Sequence, residues 1–465
     1  MSNGKYNLRF ILTVSLISAM GGLLFGYDYV VIGGAKPFYE PYFGITANPG
    51  LQGWAMSCAL AGCLTGAVIS GWLSDRLGRK KLLLASALFF IAGSAGTGAA
   101  GSLTSFVIFR IVGGIGIGIA SNISPLYIAE ITPASIRGRF VSINQLTIVI
   151  GILAAQLINW RIAQPVPEGS TVQEIFLSWN GQQGWRYMFW ACGIPAIAFF
   201  LLSLFIPESP RWLARKEKTR PAAWLILEKA GGREFAGSEL KSIIETFNPT
   251  GSTGNVIWYR QKGVSHLLVI GIVLAVFQQW CGINVIFNYA QEVFSGAGYG
   301  ISDILFNIVI TGSVNLLFTF VGMFMVDRLG RKGLMLFGAG GLTAIFATVG
   351  IMYFIHLKGL ALLVMVVMAI GCYAMTLAPV TWVLLSEIFP NRIRGAAMSV
   401  STFALWTGCF TLTYTFPLLN HLLKASGTFW LYSIICLAGF FYILSQLPET
   451  KGKSLEELEN LLTKK

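Results

Sequence analysis

The chain has 465 residues, of which 55 % are hydrophobic and only 11 % charged, with a mean hydropathy of +0.68. Ordinary globular chains are about 25 % charged, and a water-facing surface cannot be built from so few ionised groups. Soluble enzymes, disordered chains and nucleic-acid binders are set aside on that ground, although the net charge of +13 alone would admit the last.

What remains is an all-α membrane protein. A transmembrane helix needs about 20 mostly apolar residues. Such stretches run over 9–34, 53–74, 82–101, 104–127, 139–161 and 185–206, then over 266–294, 303–326, 332–355, 360–386, 396–420 and 426–447. Lys5 and Arg9 before the first stretch resemble a signal peptide, but the apolar run is long and no small-x-small cleavage site follows, so it reads as a retained helix. The polar gap 207–265 predicts short amphipathic helices. The tail from Ser454, with Glu457 three residues on, has the pattern of a capping box. The expected division is a six-helix bundle over 1–206, a linker over 207–265, a second six-helix bundle over 266–447 and a tail over 448–465.

Of the 33 Lys and Arg residues, all but Lys36, Arg110, Arg161, Arg186, Lys358 and Lys424 fall on the side of the two termini. The positive-inside rule places that side in the cytoplasm; the same basic face suits anionic lipid. The seven cysteines lie in apolar stretches with no CxxC pair, which reads as buried thiols without a disulfide or metal framework.

The chain repeats itself. The segment from Asp75 to Lys80, DRLGRK, recurs from Asp327 to Lys332. Glu130 precedes Arg137 by the same interval that separates Glu387 from Arg394. The PESPR run from Pro207 to Arg211 ends the sixth span, and the PETKG run from Pro448 to Gly452 ends the twelfth. Parallel six-helix repeats are one architecture of alternating access, with the substrate at the midplane between the halves.

These motifs, with the GYD run from Gly26 to Asp28 and the pairing of Gln278 and Gln279 with the GIN run from Gly282 to Asn284, carry a family resemblance. The chain resembles the sugar porters of the major facilitator superfamily over nearly its whole length. That implies the major facilitator fold, with twelve spans in two bundles, and transport of a monosaccharide with no enzymatic activity and no cofactor.

Asp28 lies inside an apolar helix, where an ionised carboxylate is costly and proton relays are common. Arg110, in the fourth span, does not readily neutralise and needs an anion or carbonyls nearby. The expectation is that the two pair and that a proton on Asp28 releases Arg110; a fixed structural ion pair is the alternative. The resemblance favours coupling, because proton-coupled members carry Asp here and facilitative members typically Asn. Some symporters have a further acid in span 6, where this chain has Cys192.

Gln278, Gln279, Asn284 and Asn288 gather in span 7, and amides both donate and accept hydrogen bonds as a polyol requires. Interhelical glue is the plainer reading of such amides. Gln156 and Asn315 add to the set, and Trp382 and Trp406 lie too deep for an interfacial belt. By resemblance the sugar site draws on Phe25, Gln156, Gln278, Gln279, Asn284, Asn315, Trp382 and Trp406. Asn288 stands where a Tyr is usual, with Tyr289 following, Leu405 replaces a Gln, and Cys409 replaces an Asn. The glycines at 113, 114, 116 and 118 predict close helix packing, and Pro379 and Pro417 are candidate hinges.

At the basic end, the resemblance implies a gate network of Asp75, Arg79, Glu130, Arg137, Glu208 and Arg211 in the first half. In the second half it comprises Asp327, Arg331, Glu387, Arg394 and Glu449. Its role would be to latch the outward-open state. The resulting expectation is a monomeric proton–sugar symporter, for xylose or glucose, in the lipid bilayer of a bacterial inner membrane, with no nucleic-acid partner. A facilitative uniporter and a sugar receptor on the same fold are the alternatives.

Overall fold

The computed structural model describes residues 6–133, 135–247, 264–296, 298–389 and 394–449. The side chains of Asp327 and Arg394, the tail with Ser454, and residues 248–263 of the linker lie outside the described residues.

In chain order the helices are α1 (Leu8–Phe43), α2 (Pro49–Leu77), α3 (Arg79–Ala99), α4 (Leu103–Ile131) and α5 (Arg137–Ile162). A short α6 (Val172–Leu177) precedes a π-helical turn and the pair α7 (Trp185–Ala191) and α8 (Gly193–Ser203). Then come α9 (Pro210–Ala214) and α10 (Arg220–Phe247), which form the polar linker. The second half holds α11 (Val264–Trp280), α12 (Ile283–Asn288), α13 (Ala290–Gly296), α14 (Ile301–Leu329) and α15 (Arg331–Phe354). It ends with α16 (Leu360–Met375), α17 (Leu377–Glu387) and α18 (Arg394–Gln446). Among the described residues, 11 helical segments are long and apolar enough to span a bilayer. The last of these covers 50 residues and is broken at Lys424, where φ is 58°, so it supplies two crossings. The chain is an integral, multi-pass membrane protein.

Local sequence sets the helix starts. Asn7 accepts from the Phe10 N–H at 3.1 Å, and Asn48 accepts from the Leu51 N–H with Pro49 at the first helical position. Ser102 and Ser105 form a reciprocal capping box on α4. Small residues set the packing of α2 on α4. A Cβ on Gly114 would lie 1.9 Å from the Ala59 carbonyl oxygen, and one on Gly62 would lie 2.2 Å from that of Ile111. Two backbones this close leave room only for glycine.

The seventh span is not the single helix that its hydropathy predicts. It breaks at Gly282, in the left-handed region with φ 91°, and again at Tyr289. The tenth span breaks at Thr376, three residues before Pro379, while Pro417 lies inside α18. The two halves meet chiefly along α2 with α18 and α5 with α14. At the end away from the basic loops they are closed on each other. There the Val166 N–H donates to Ser302 Oγ at 3.0 Å, and a Cβ on Gly53 would lie 2.3 Å from the Tyr414 carbonyl oxygen.

Candidate functional site

Asp28 and Arg110 form a buried pair between α1 and α4. Arg110 Nη1 donates to Asp28 Oδ1 at 2.7 Å and Nη2 reaches the Asp28 carbonyl at 3.4 Å. The residues are 5 % and 3 % exposed, and the guanidinium lies 5.4 Å from the centre of the Phe189 ring. Asp28 Oδ2 and Arg110 Nε have no hydrogen-bond partner. The carboxylate therefore keeps one oxygen open to a further partner while the other holds the arginine. Cys192 is buried within electrostatic range of both groups and offers no second acid.

The amides of the seventh span form a directed chain. Asn284 Nδ2 donates to Gln279 Oε1 at 2.5 Å, Gln279 Nε2 donates to Gln278 Oε1 at 2.5 Å, and Gln278 Nε2 donates to the Tyr373 hydroxyl at 2.6 Å. Each bond polarises the next; Asn284 Nδ2 also donates to the Gln279 carbonyl at 3.3 Å, while the NH2 groups of Gln278 and Gln279 each hold a second proton to offer. The helix breaks at Gly282 and Tyr289 let residues on two short segments converge, which one continuous helix would not allow.

Asn288 donates to the Tyr29 hydroxyl at 3.1 Å, and that hydroxyl lies 3.4 Å from Cys409 Sγ. Tyr29 thus reaches from α1, one residue past Asp28, to α12 and α18 of the other half. Tyr29, Arg110 and Asn288 line one small cavity. Gln156 is 2 % exposed, abuts Gly312 of α14, and has neither its amide oxygen nor its nitrogen paired. Trp406 packs on Phe25 with ring centres 5.4 Å apart, and its indole N–H is likewise unpaired. Asn315 is buried one turn from Gly312, and its carbonyl accepts from Thr319. Buried polar groups without partners are costly, and those of Gln156 and Trp406 suit a ligand rich in hydroxyls.

The Tyr289 hydroxyl donates to the Thr413 carbonyl at 2.6 Å, and its ring lies tilted against Phe416 with centres 4.5 Å apart, so Tyr289 ties the junction of α12 and α13 to α18. Trp382, on α17, is 36 % exposed.

At the basic end, the two DRLGRK segments make equivalent structures. Gly78 and Gly330 have φ of 91° and 83°, and neither supplies a side-chain cap to the helix that follows. The caps come from far along the chain. Glu208 Oε1 accepts from the Arg79 N–H at 2.8 Å and the Lys80 N–H at 3.2 Å. Glu449 accepts from the Arg331 N–H at 3.0 Å and the Lys332 N–H at 3.1 Å. A carboxylate at a helix N-terminus satisfies orphan donors and suits the dipole. Arg79 binds Glu130 with two bonds of 2.9 and 2.8 Å, and Ser209 Oγ donates to the same carboxylate. Arg331 binds Glu387 at 3.0 Å. Asp75 pairs with Arg215 at 2.9 Å and lies 3.6 Å from Arg79. These pairs lie within one half or the other. Arg137 Nε is buried without a hydrogen-bond partner, and Arg211 is exposed.

Sequence reasoning missed four residues at these sites. Tyr29 and Tyr373 look like ordinary aromatics of apolar helices. Lys36, counted only as a stray cation, is 2 % exposed and bonds Glu292 of α13. Glu40, four residues on, is the signal that could have marked it, since two charges at helical spacing in an apolar stretch call for a reason.

Fold and site together define a polytopic carrier, with a buried acid–arginine pair beside an amide-rich cluster between two bundles. Residues 14–462 match the family described as Sugar (and other) transporter. The D-xylose-proton symporter of Escherichia coli (strain K12) is 37 % identical over 489 residues, covering 99 % of this chain and 97 % of that protein. The arabinose-proton symporter of Bacillus subtilis (strain 168) is 34 % identical over 461 residues, covering 99 % and 97 %. The inward-open structure of the xylose transporter from E. coli superposes with a TM-score of 0.83 at 35 % identity, covering 97 % of this chain and 99 % of that one. The chain belongs to the sugar transporter family, within the major facilitator superfamily, and is a transporter and not an enzyme.

Proposed function

We propose that this protein imports a monosaccharide together with a proton by alternating access. The observation that carries the reading is the adjacency of Asp28 and Tyr29 on α1. One residue holds the buried arginine and the next reaches Asn288, at the end of the amide cluster. Protonation of Asp28 removes the charge that holds Arg110, and any resulting shift of α1 is felt at Tyr29 and therefore at the sugar. Sugar binding to Gln156, Trp406 and the amide chain stabilises the opposed halves. The proton leaves on the far side, and the Asp28–Arg110 pair forms again for the return. The names of the two relatives favour a pentose as cargo. The charge distribution supports a cytoplasmic basic end with both termini on that side and the closed end facing outward, and the bacterial relatives support an inner membrane.

One proton moving through 100 mV supplies about 2.3 kcal/mol, roughly 50-fold accumulation at about 1.4 kcal/mol per decade. The test is uptake of labelled xylose and glucose by proteoliposomes of purified protein, with and without an inward proton gradient. Gradient-driven accumulation by the wild type, lost in Asp28→Asn while exchange survives, supports symport. Equilibration without accumulation in both makes the protein a uniporter, and no uptake at all leaves a receptor.

A further inference from the structure

Seven residues before its end α1 carries a second buried charge group, eight residues beyond Asp28 and about 12 Å further along the helix axis. Lys36 Nζ lies 3.0 Å from Glu40 Oε1 on the next turn and bonds Glu292 Oε1 on α13, in the other half of the molecule. The ammonium also sits 5.7 Å from the centre of the Tyr289 ring. Glu40 is 4 % exposed and accepts a further bond from Gln52 Nε2 at 3.3 Å, whereas the Glu292 side chain is 25 % exposed. Nothing in the Asp28 site or the amide cluster uses these three residues. Buried ions at membrane depth are costly and call for a function.

We propose that Lys36, Glu40 and Glu292 form the outer gate of the transport cycle, an ion-pair latch that holds the outward end closed. The two carboxylates differ in what opening does to them. Glu40 is on the same helix as Lys36 and travels with it. Glu292 belongs to the other half and departs when the halves part. Lys36 then exchanges two carboxylate partners for one and is never left as a bare buried cation, whose desolvation would make opening prohibitive. Glu40 is thus a positioning residue that keeps the lysine charged and placed, and Glu292 is the switched contact. The proposal rests on the alternating-access reading, but its test needs neither sugar nor proton gradient.

Spin labels at Ala47→Cys and Lys358→Cys report the outer end, since both positions are exposed in loops of opposite halves. The partly exposed Cys372 is replaced by Ser in this background. Double electron–electron resonance in nanodiscs, without sugar, then gives the distance distribution. Glu292→Ala, which removes a partly exposed side chain, should raise the ratio of long to short distances about tenfold, within the usual range of such couplings. Glu292→Gln should move it the same way and serves if the alanine variant does not fold. The exchange Lys36→Glu with Glu292→Lys again sets one lysine among two carboxylates and should restore the short distance. An unchanged distribution in the Glu292 variants, an exchange variant as open as Glu292→Ala, or a wild type already open at this end would each overturn the latch. Sugar uptake by the same wild-type protein separately decides the transport reading.

Discussion

Removing the Glu130 carboxylate should cost much of the stability of the first half. Glu130 accepts both bonds from Arg79 and one from Ser209, and the side chains of Arg79 and Glu130 are each only 6 % exposed. In Glu130→Leu the guanidinium keeps the Ser74 carbonyl at 2.8 Å and a partly exposed Asp75 at 3.6 Å. That is poor compensation for a buried cation, and breaking such a pair on one side costs about 3–5 kcal/mol. A cooperative unit of one half-molecule size shifts its melting midpoint by about 2–4 °C per kcal/mol, so a fall of about 6–20 °C is expected in detergent. Arg79→Leu should do the same by stranding Glu130. The double variant should melt well above the sum of the two losses, because no charge is then left unpaired. Single variants within about 2 °C of the wild type, or a double variant at the additive value, would refute the reasoning, since strictly additive losses mean no coupling.

Three further outcomes follow from the geometry. Gln156→Leu should leave thermal stability equal or higher, because it removes an amide with no partner, while weakening sugar binding about tenfold or more in a binding titration. A parallel loss of both would make Gln156 a packing residue. Tyr29→Phe keeps the ring but loses the hydroxyl between Asn288 and Cys409, and equilibrium exchange should show sugar affinity lowered about two- to tenfold, the value of one hydrogen bond. Gly114→Ala drives a methyl toward the Ala59 carbonyl and should abolish a monodisperse peak in size-exclusion chromatography. Gly71→Ala meets nothing within 4 Å and should melt at or slightly above the wild type.

The all-helical membrane fold and the duplication were legible because they rest on composition and on repeated strings. The meeting of Asp28 with Arg110 was also legible, since two unpaired ions in apolar spans have few partners to choose from. The breaks in the seventh span were not, because hydropathy averages over a window and a single left-handed glycine does not lower it. Tyr289 shows the same limit from the other side, as residue type does not say that its hydroxyl is bonded to the Thr413 carbonyl. Glu292 is 256 positions from Lys36, and without coordinates nothing connects them. Tyr29 bonds Asn288 and lies against Cys409, a link between helices that a position-by-position reading counts as two separate departures.

The carboxylates of Glu208 and Glu449 each accept from two successive backbone N–H groups at a helix start. A peptide unit has no rotamer to change, so each sixth span is clamped to the start of its third span at a fixed height. Sliding among the helices of one half is thereby resisted at its base. A rocking motion must then be absorbed where the halves touch and at the few flexible joints of the chain, at Gly282 and Thr376. Each half behaves as a lever with its stiffness concentrated at one end, and the amide cluster lies near the fulcrum, where small rotations exchange one set of neighbours for another.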